Sequence, residues 1–306
     1  GEGLTTMAMA KDVLEQLRVD PGEKFRIADH DAKWLPPAAH EVDKAERKRI
    51  AEMMLADNKV ELAEAQELLY ADGRHSVLIV FQAMDAAGKD GTIGHVMSGV
   101  NPQGCSVSSF KVPSAEEFSH TYLWRYSKAL PARGMIGIFN RSYYEEVLVV
   151  KVHPAILDKA DLPPEDVHKD IWKHRYEDIN NFEQHLSRNG TTILKFFLNV
   201  SKEEQKKRFL ERLDTPEKNW KFSSGDIVER GYWDDYMAAF EDAINATSTP
   251  WAPWYVIPAD HKWAMRAAVS DIITTTIKDL PLEYPKLPED EVARLAEAKA
   301  KLLAEQ

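Results

Sequence analysis

The chain has 306 residues, 44% of them hydrophobic and 29% charged, which is enough for one large domain or two small ones. Its net charge of −11 argues against a general nucleic-acid or membrane-surface binder, since such proteins are usually basic, and a polyanionic ligand would need locally gathered cations. One cysteine excludes an internal disulfide, and neither a membrane-spanning apolar run nor a signal peptide is visible. We expect a cytoplasmic protein.

The first residues predict an arm followed by a long helix. Residues 1–45 are interrupted by two proline-containing turns, and we predict one short helix near residues 10–19. Residues 41–70 have helical composition, and Gly73 is the expected stop. We therefore predict an arm (1–45), a main domain (46–286) and a charged tail helix (287–306).

A short β-branched run at residues 77–81 predicts a buried strand, and a turn of small residues follows it. Lys89 and a helix to about residue 97 come next. A strand, a small-residue turn, a lysine and a helix predict a phosphate-binding P-loop (Walker A), in which backbone N–H groups and the lysine surround an anion. The candidate loop residues are Asp85, Ala86, Ala87, Gly88, Lys89, Asp90 and Gly91.

Two positions depart from the common loop pattern. Ala83 replaces the first glycine, and Asp90 replaces the hydroxyl that normally holds Mg²⁺. We therefore expect Asp85 to be the metal ligand, with Mg²⁺ as cofactor and Mn²⁺ as an alternative. An ordinary strand–turn–helix joint with a solvated lysine is the simpler alternative.

The rest of the chain alternates strands with helices. Further strands are predicted at 107–112, 135–139, 191–200 and 254–257, and helices at 114–128, 169–188, 202–214, 226–245 and 264–278. Two Ser-x-x-Glu capping boxes, at 114–117 and 201–204, mark helix starts. This order predicts an α/β protein with a three-layer P-loop kinase-like fold, a mainly parallel five-stranded sheet and a helical lid at about 202–232.

Cationic side chains supply the remaining site candidates. Arg141 follows a predicted buried strand, where open α/β sheets bind ligands, although pairing with a nearby glutamate is the alternative. The basic helix at 202–214 resembles a kinase lid, although a charge run on a helix is often a solvated face. The candidates are Arg125, Arg133, Asn140, Arg141, Glu145, Arg175, Lys206, Lys207, Arg208 and Arg212.

The tail from residue 288 places apolar residues on one stripe of a charged helix. Such a stripe predicts docking, and another subunit is one place for it. We expect a homo-oligomer, either a dimer or a tetramer.

Four stretches together resemble the polyphosphate kinase 2 family. They are Met-Asp-Ala-Ala-Gly-Lys-Asp-Gly at 84–91, Leu-Trp-Arg at 123–125 through Arg133-Gly134, Ile-Phe-Asn-Arg-Ser-Tyr-Tyr-Glu at 138–145, and Arg208 through residues 220–223. The resemblance runs from about residue 50 to 280, and both departures in the loop are typical of the family. The strand-end form with Asn140 resembles the class III subgroup, which accepts AMP and ADP, and there Glu145 is thought to favour the monophosphate.

The resemblance implies Mg²⁺-dependent, reversible transfer of the terminal phosphoryl of inorganic polyphosphate to AMP and ADP, giving ADP and ATP. In the family's terms Asp85 binds metal, Lys89 and Arg141 hold phosphates, and the basic lid residues line the polyphosphate path. Two alternatives remain open, namely an ATP-dependent nucleoside or nucleotide kinase and a non-catalytic polyphosphate- or nucleotide-sensing module.

Overall fold

The computed structural model describes residues 11–305 and shows an α/β fold built on one six-stranded sheet. The strand order across the sheet is β1-β6-β5-β2-β4-β3. The strands are β1 (Arg18–Val19), β2 (Ser76–Ala83), β3 (Cys105–Ser109), β4 (Ile136–Asn140), β5 (Thr191–Asn199) and β6 (Trp254–Pro258).

The predicted mainly parallel sheet is confirmed, but the predicted number of strands is wrong. β2 lies between β5 and β4 and is parallel to both, and only the short edge strand β1 pairs antiparallel, with β6. The predicted helix near residues 10–19 ends at Leu17, and residues 18–19 form β1 instead. Two residues of extended chain carry almost no periodic signal, so only their pairing with Trp254 and Tyr255 defines the strand.

Helices flank the sheet, with α2, α3 and α11 packed together and α6, α7 and α10 forming a second group. The helices are α1 (Lys11–Leu17), α2 (Lys44–Asp72), α3 (Lys89–Val96), α4 (Ala115–Ser119), α5 (Trp124–Lys128), α6 (Val149–Val152), α7 (Ile171–Arg188), α8 (Lys202–Asp214), α9 (Ser224–Arg230), α10 (Trp233–Thr247), α11 (Lys262–Lys278) and α12 (Glu289–Leu303). This arrangement confirms the predicted P-loop kinase-like class.

Local signals located several helix ends correctly. Gly73 ends α2 in the left-handed conformation with φ of 67°, and its N–H donates to the carbonyl of Leu69. The box at Ser114 and Glu117 is reciprocal. The box predicted at Ser201 is only half made, because the Glu204 carboxylate binds Arg208 instead of the helix start.

Two predicted long helices are each broken into two. The 114–128 segment forms α4 and α5, and the 226–245 segment forms α9 and α10. The second break falls at Gly231, a residue type of low helix propensity. A new reciprocal capping box at Ser223 and Asp226 starts α9.

The chain outside the sheet divides into a packed beginning and an exposed end. Leu14, Leu17, Val19 and Phe25 belong to the main core cluster, so this part of the predicted arm lies on the domain. The first ten residues of that arm, including the predicted helix start at residue 10, lie outside the described residues. The apolar residues of α12 are exposed. Within residues 11–305 no helix has the length and apolar character needed to span a bilayer.

Candidate functional site

A cleft of about 1020 Å³ opens at the carboxyl edge of the parallel strands. The residue that follows β4, the loop after β2, the end of β3, the lid segment and the start of α11 line it. Its walls carry nine Lys or Arg side chains and four Asp or Glu side chains, although the whole chain has a net charge of −11. This local excess of cations makes the cleft a site for a polyanion.

The loop between β2 and α3 owes its shape to two left-handed residues. Gly88 has φ of 102°, and a Cβ there would lie 3.0 Å from the Met265 side chain, so both conformation and space require glycine. Ala86 has φ of 65° and is the smallest chiral residue. Ala83 is the last residue of β2, so its extended backbone tolerates a Cβ where the common pattern has glycine. The free N–H groups that open α3 face the cleft.

Lys89 is the first residue of α3 and bends back over the loop. Its Nζ donates to the carbonyl of Ala83 at 3.4 Å. Burial lowers the pKa of Lys89 to about 8, and the nearby charge of Arg141 acts in the same direction. An anion beside the ammonium would oppose both effects, so the site is electrostatically prepared for a phosphate.

Arg141 and Asp85 face each other across the mouth of the loop. The Arg141 Nη2 lies 3.3 Å from the Asp85 Oδ1, and both side chains are partly exposed to the cleft. The charges of Glu145 and Asp85 raise the pKa of Arg141, so its guanidinium stays positively charged. Arg141 therefore lies beside the loop, as predicted. The alternative was a direct ion pair between Arg141 and a nearby glutamate. Arg141 instead pairs with Asp85, and Glu145 acts on it only through a longer-range charge attraction.

Two further predicted residues cross-link the strand ends. Asn140 donates to Asp90, which ties β4 to the first turn of α3. Glu145 accepts a hydrogen bond of 3.0 Å from Gln82 and stays behind Arg141, outside the cleft lining. Asp90 and Asn140 line the cleft, as does Gly91.

Arg208, a predicted phosphate-binding residue, lines the cleft, and its guanidinium also holds the loop. Its Nη1 donates to the carbonyls of Ala86 and Ala87, its Nη2 donates to those of Ala259 and Asp260, and its Nε pairs with Glu204. Gln205 binds the carbonyl of Asp85 from the same helix. The buried face of α8 is thus a clamp that turns loop carbonyls away from the cleft.

We predict that Arg208→Ala destabilises the protein. Each buried carbonyl left without a donor costs about 1–3 kcal/mol of folding free energy. Even if water replaces the donor at most of them, a remaining loss of about 2 kcal/mol lowers Tm by roughly 4–8 °C. Differential scanning fluorimetry can check this result, with Arg188→Ala as a control because Arg188 is an exposed arginine of α7. An unchanged Tm for Arg208→Ala would contradict the clamp.

The structure does not bring all the predicted arginines and lysines into the cleft. Arg125 donates to the carbonyl of Lys111 at 2.8 Å, and Arg175 donates to Glu146. Arg133 donates to the carbonyls of Arg74 and Asn189, at the amino edge of the sheet and far from the site. All three guanidinium groups satisfy protein acceptors, a use that sequence cannot distinguish from phosphate binding.

The exposed lid lysines also differ from the prediction. Lys206 and Lys207 are exposed outside the cleft lining, whereas Arg212 lines it. Trp220, Lys218 and Lys221, from the turn that follows α8, complete this wall.

The predicted site residues leave out several side chains that line the cleft, among them His95, Lys111, Lys262 and Arg266. Arg266 approaches α3 closely because Gly91 has no Cβ, which would lie 3.0 Å from its Nη2. Its Nε is buried and has no hydrogen-bond partner among residues 11–305. Burial and the neighbouring cations lower the pKa of Lys262. The sequence held a signal for two of these residues, since Lys262 and Arg266 are four residues apart at the start of a helix that directly follows a strand.

The residues at the loop mouth fit a metal that takes few protein ligands. Among residues 11–305 no group of three or more His, Cys, Asp and Glu side chains could hold an ion. Mg²⁺ commonly uses one or two carboxylates together with waters and phosphate oxygens. Asp85 faces the cleft and suits that role.

Comparisons with known proteins agree with this geometry. The family model described as Polyphosphate kinase 2 (PPK2) matches residues 44–284. An ADP-polyphosphate phosphotransferase of Rhodopseudomonas palustris is 52% identical, over 89% of this chain and 92% of that protein. An AMP/ADP-polyphosphate phosphotransferase of Meiothermus ruber is 45% identical, over 89% of this chain and 96% of its own length. The crystal structure of polyphosphate kinase 2 from Arthrobacter aurescens superposes with a TM-score of 0.82 at 41% identity, covering 94% of this chain and 96% of that one.

Proposed function

The chain belongs to the polyphosphate kinase 2 family, and we propose that it transfers the terminal phosphoryl group of inorganic polyphosphate to AMP and ADP, giving ADP and ATP in a reversible reaction. The observation that carries the proposal is the charge of the cleft, where nine cationic side chains oppose four acidic ones in an acidic protein. Such a surplus suits a donor with many phosphates.

The chain's own groups bind and orient the phosphates. The N–H groups that open α3 and the ammonium of Lys89 hold the transferring phosphoryl, and Arg141 offsets charge on its oxygens. Asp85 holds the Arg141 guanidinium at the loop mouth. Little covalent chemistry is required of the protein, since phosphoryl transfer depends on positioning and charge stabilisation.

We assign Mg²⁺ to Asp85, and Mn²⁺ is the alternative ion. When bound, the ion would neutralise charge on the phosphate oxygens. Asp226, on α9, also lines the cleft, and burial together with the charge of Asp85 raises its pKa. A cation between these two acids would relieve their repulsion.

The α11 wall supports polyphosphate rather than ATP as the donor. Lys262 and Arg266 extend the positive lining past the loop, and Lys218 adds to it from the lid. Burial and the charge of Arg208 lower the pKa of both Lys262 and Arg266, so a bound chain of phosphates would stabilise both charged forms.

The test is an incubation with AMP, long-chain polyphosphate and Mg²⁺, followed by separation of the nucleotides. We expect ADP first and then ATP, with no other nucleotide supplied. A product only when ATP is supplied would establish the ATP-dependent kinase, and binding without turnover would establish the sensing module. Product from ADP but not from AMP would restrict the acceptor and refute the AMP half of the proposal.

We predict that kcat/KM for polyphosphate falls as pH rises through about 8. Burial lowers the pKa of the free enzyme's Lys89 to about 8, and only its protonated form attracts the anion. Bound polyphosphate raises that pKa, so the corresponding fall in kcat lies at higher pH. Profiles at constant ionic strength measure both limbs.

Lys89→Arg is the matched control, because a guanidinium keeps its charge throughout this range. Its kcat/KM profile should lack the fall near pH 8, whatever its absolute rate. A fall that persists unchanged in Lys89→Arg would assign the titration to another group.

A further inference from the structure

A fully buried charged pair lies inside the fold, away from the phosphates, and takes no direct part in the proposed phosphoryl transfer. Lys195 from the middle of β5 and Glu183 from α7 both have 0% side-chain exposure, and the Nζ–Oε1 distance is 2.9 Å. Burial lowers the pKa of Lys195 to about 8, while Glu183 opposes that shift. Burying two charges costs free energy unless every donor and acceptor of the pair forms a hydrogen bond. The partners in those hydrogen bonds are therefore the groups that the pair holds in place.

The pair binds two tyrosine hydroxyls. Tyr143 donates to the Glu183 Oε2 at 2.7 Å, and Tyr144 donates to the Oε1 at 2.8 Å. Lys195 Nζ donates to the Tyr144 hydroxyl at 2.6 Å and to the carbonyl of Thr247, at the end of α10, at 2.8 Å. The network therefore joins β5, α7 and α10 to one short segment.

That segment is the turn that carries Arg141. The two tyrosines lie two and three residues after Arg141, at the start of the 3₁₀ turn Tyr143–Val147. Their side chains are fully buried in the core, whereas Arg141 lines the cleft. Arg141 has φ of 63°, a conformation that a non-glycine residue keeps only when its surroundings hold it.

We propose that Glu183 and Lys195 are positioning residues for Arg141, which they hold at the transferring phosphoryl through the hydroxyls of Tyr143 and Tyr144. A second set of bonds lies at the same end of the turn, where Ser142 Oγ donates to Gln82 and accepts from the N–H of Tyr144. The buried pair adds a directional anchor that apolar packing lacks. The proposal rests on the proposed function, since its kinetic effect is on phosphoryl transfer.

The first test is the double variant Tyr143→Phe/Tyr144→Phe, which removes two hydroxyls and keeps both rings. We expect kcat to fall roughly 10- to 100-fold, because a displacement of about 1 Å costs that much. KM for AMP should change less than about twofold, since Arg141 acts in the transition state rather than in acceptor binding. Ser76→Ala is the matched control, because it removes a buried hydroxyl bond between β2 and β5 at the amino edge of the sheet. Its kcat should be unchanged.

A double-mutant cycle separates positioning from general destabilisation. In an Arg141→Lys background the same two tyrosine substitutions should lower kcat less than about twofold, because the group they position is already altered. An equal loss in both backgrounds, or an unchanged kcat in the first, overturns the proposal.

If the tyrosine variant does not fold, Tyr143→Phe/Tyr144→Phe/Glu183→Leu/Lys195→Met replaces the whole network by apolar groups, an exchange that often preserves stability. The same loss of kcat is expected in this variant. A folded four-substitution variant with wild-type kcat would overturn the proposal.

A second readout does not depend on turnover. Amide hydrogen exchange of the peptide covering 141–147 should be faster in these variants by roughly tenfold or more, while the β2 peptide stays protected. Unchanged exchange would refute the anchoring itself. Faster exchange in a protein whose wild type transfers no phosphoryl would refute the proposed function and leave the anchoring in place.

Discussion

Lys89→Ala should lower kcat with polyphosphate and AMP by roughly 10³-fold or more, and the protein should remain folded. Lys89 is the cation that the loop itself carries, and its Nζ lies over the carbonyl of Ala83. Arg141 is held by Asp85 and Arg208 donates to loop carbonyls, so neither is placed to replace the Lys89 ammonium. Steady-state rates with purified protein measure the effect.

The stability of this variant should be unchanged or slightly higher. Burial lowers the pKa of Lys89, which means that the folded protein holds the charge at a cost. We expect Tm within about 2 °C of the wild type. Lys173→Ala is the control, since Lys173 is an exposed lysine of α7 outside the cleft. A Lys89→Ala rate near that of Lys173→Ala would remove the loop from the mechanism.

Asp85→Asn should lower kcat by roughly 10²-fold or more and should move the Mg²⁺ midpoint to a higher concentration. Asparagine keeps the size of the side chain and its place in the cleft but loses the charge that suits the ion and attracts Arg141. Part of the rate should therefore return as Mg²⁺ is raised.

Titration of Mg²⁺ against rate, at fixed polyphosphate and nucleotide, separates the two effects of this substitution. Asp57→Asn, an exposed site on α2, controls for the change in net charge. A lower rate with the wild-type Mg²⁺ midpoint would show that Asp85 acts only by holding Arg141. A wild-type rate with a wild-type midpoint would remove Asp85 from both roles.

The sequence was sufficient for the elements that carry strong local signals. The buried run before the loop, the small residues in it and the helix after it are contiguous, so the strand, the turn and α3 follow from neighbouring residues alone. The end of α2 at Gly73 and the start of α4 at Ser114 were predicted correctly for the same reason. The strand β1 was missed because two residues are defined only by their partner across the sheet.

The assignment of cationic residues was less successful. An arginine offers the same donors to a phosphate and to a backbone carbonyl, and nothing in its neighbours along the chain tells which it will meet. Arg125, Arg133 and Arg175 meet protein acceptors, and Arg208 holds the loop that it was expected to assist.

By itself the sequence determined that this chain forms a P-loop kinase-like sheet with a loop of small residues between β2 and α3, because strand, turn and helix signals lie within a few residues of one another. The tertiary structure alone decided which cations surround that loop. Lys262 and Arg266 reach it from more than 170 positions away, through packing of α11 on α3 and the missing Cβ of Gly91. Packing between distant elements sets such distances, and no local pattern encodes them.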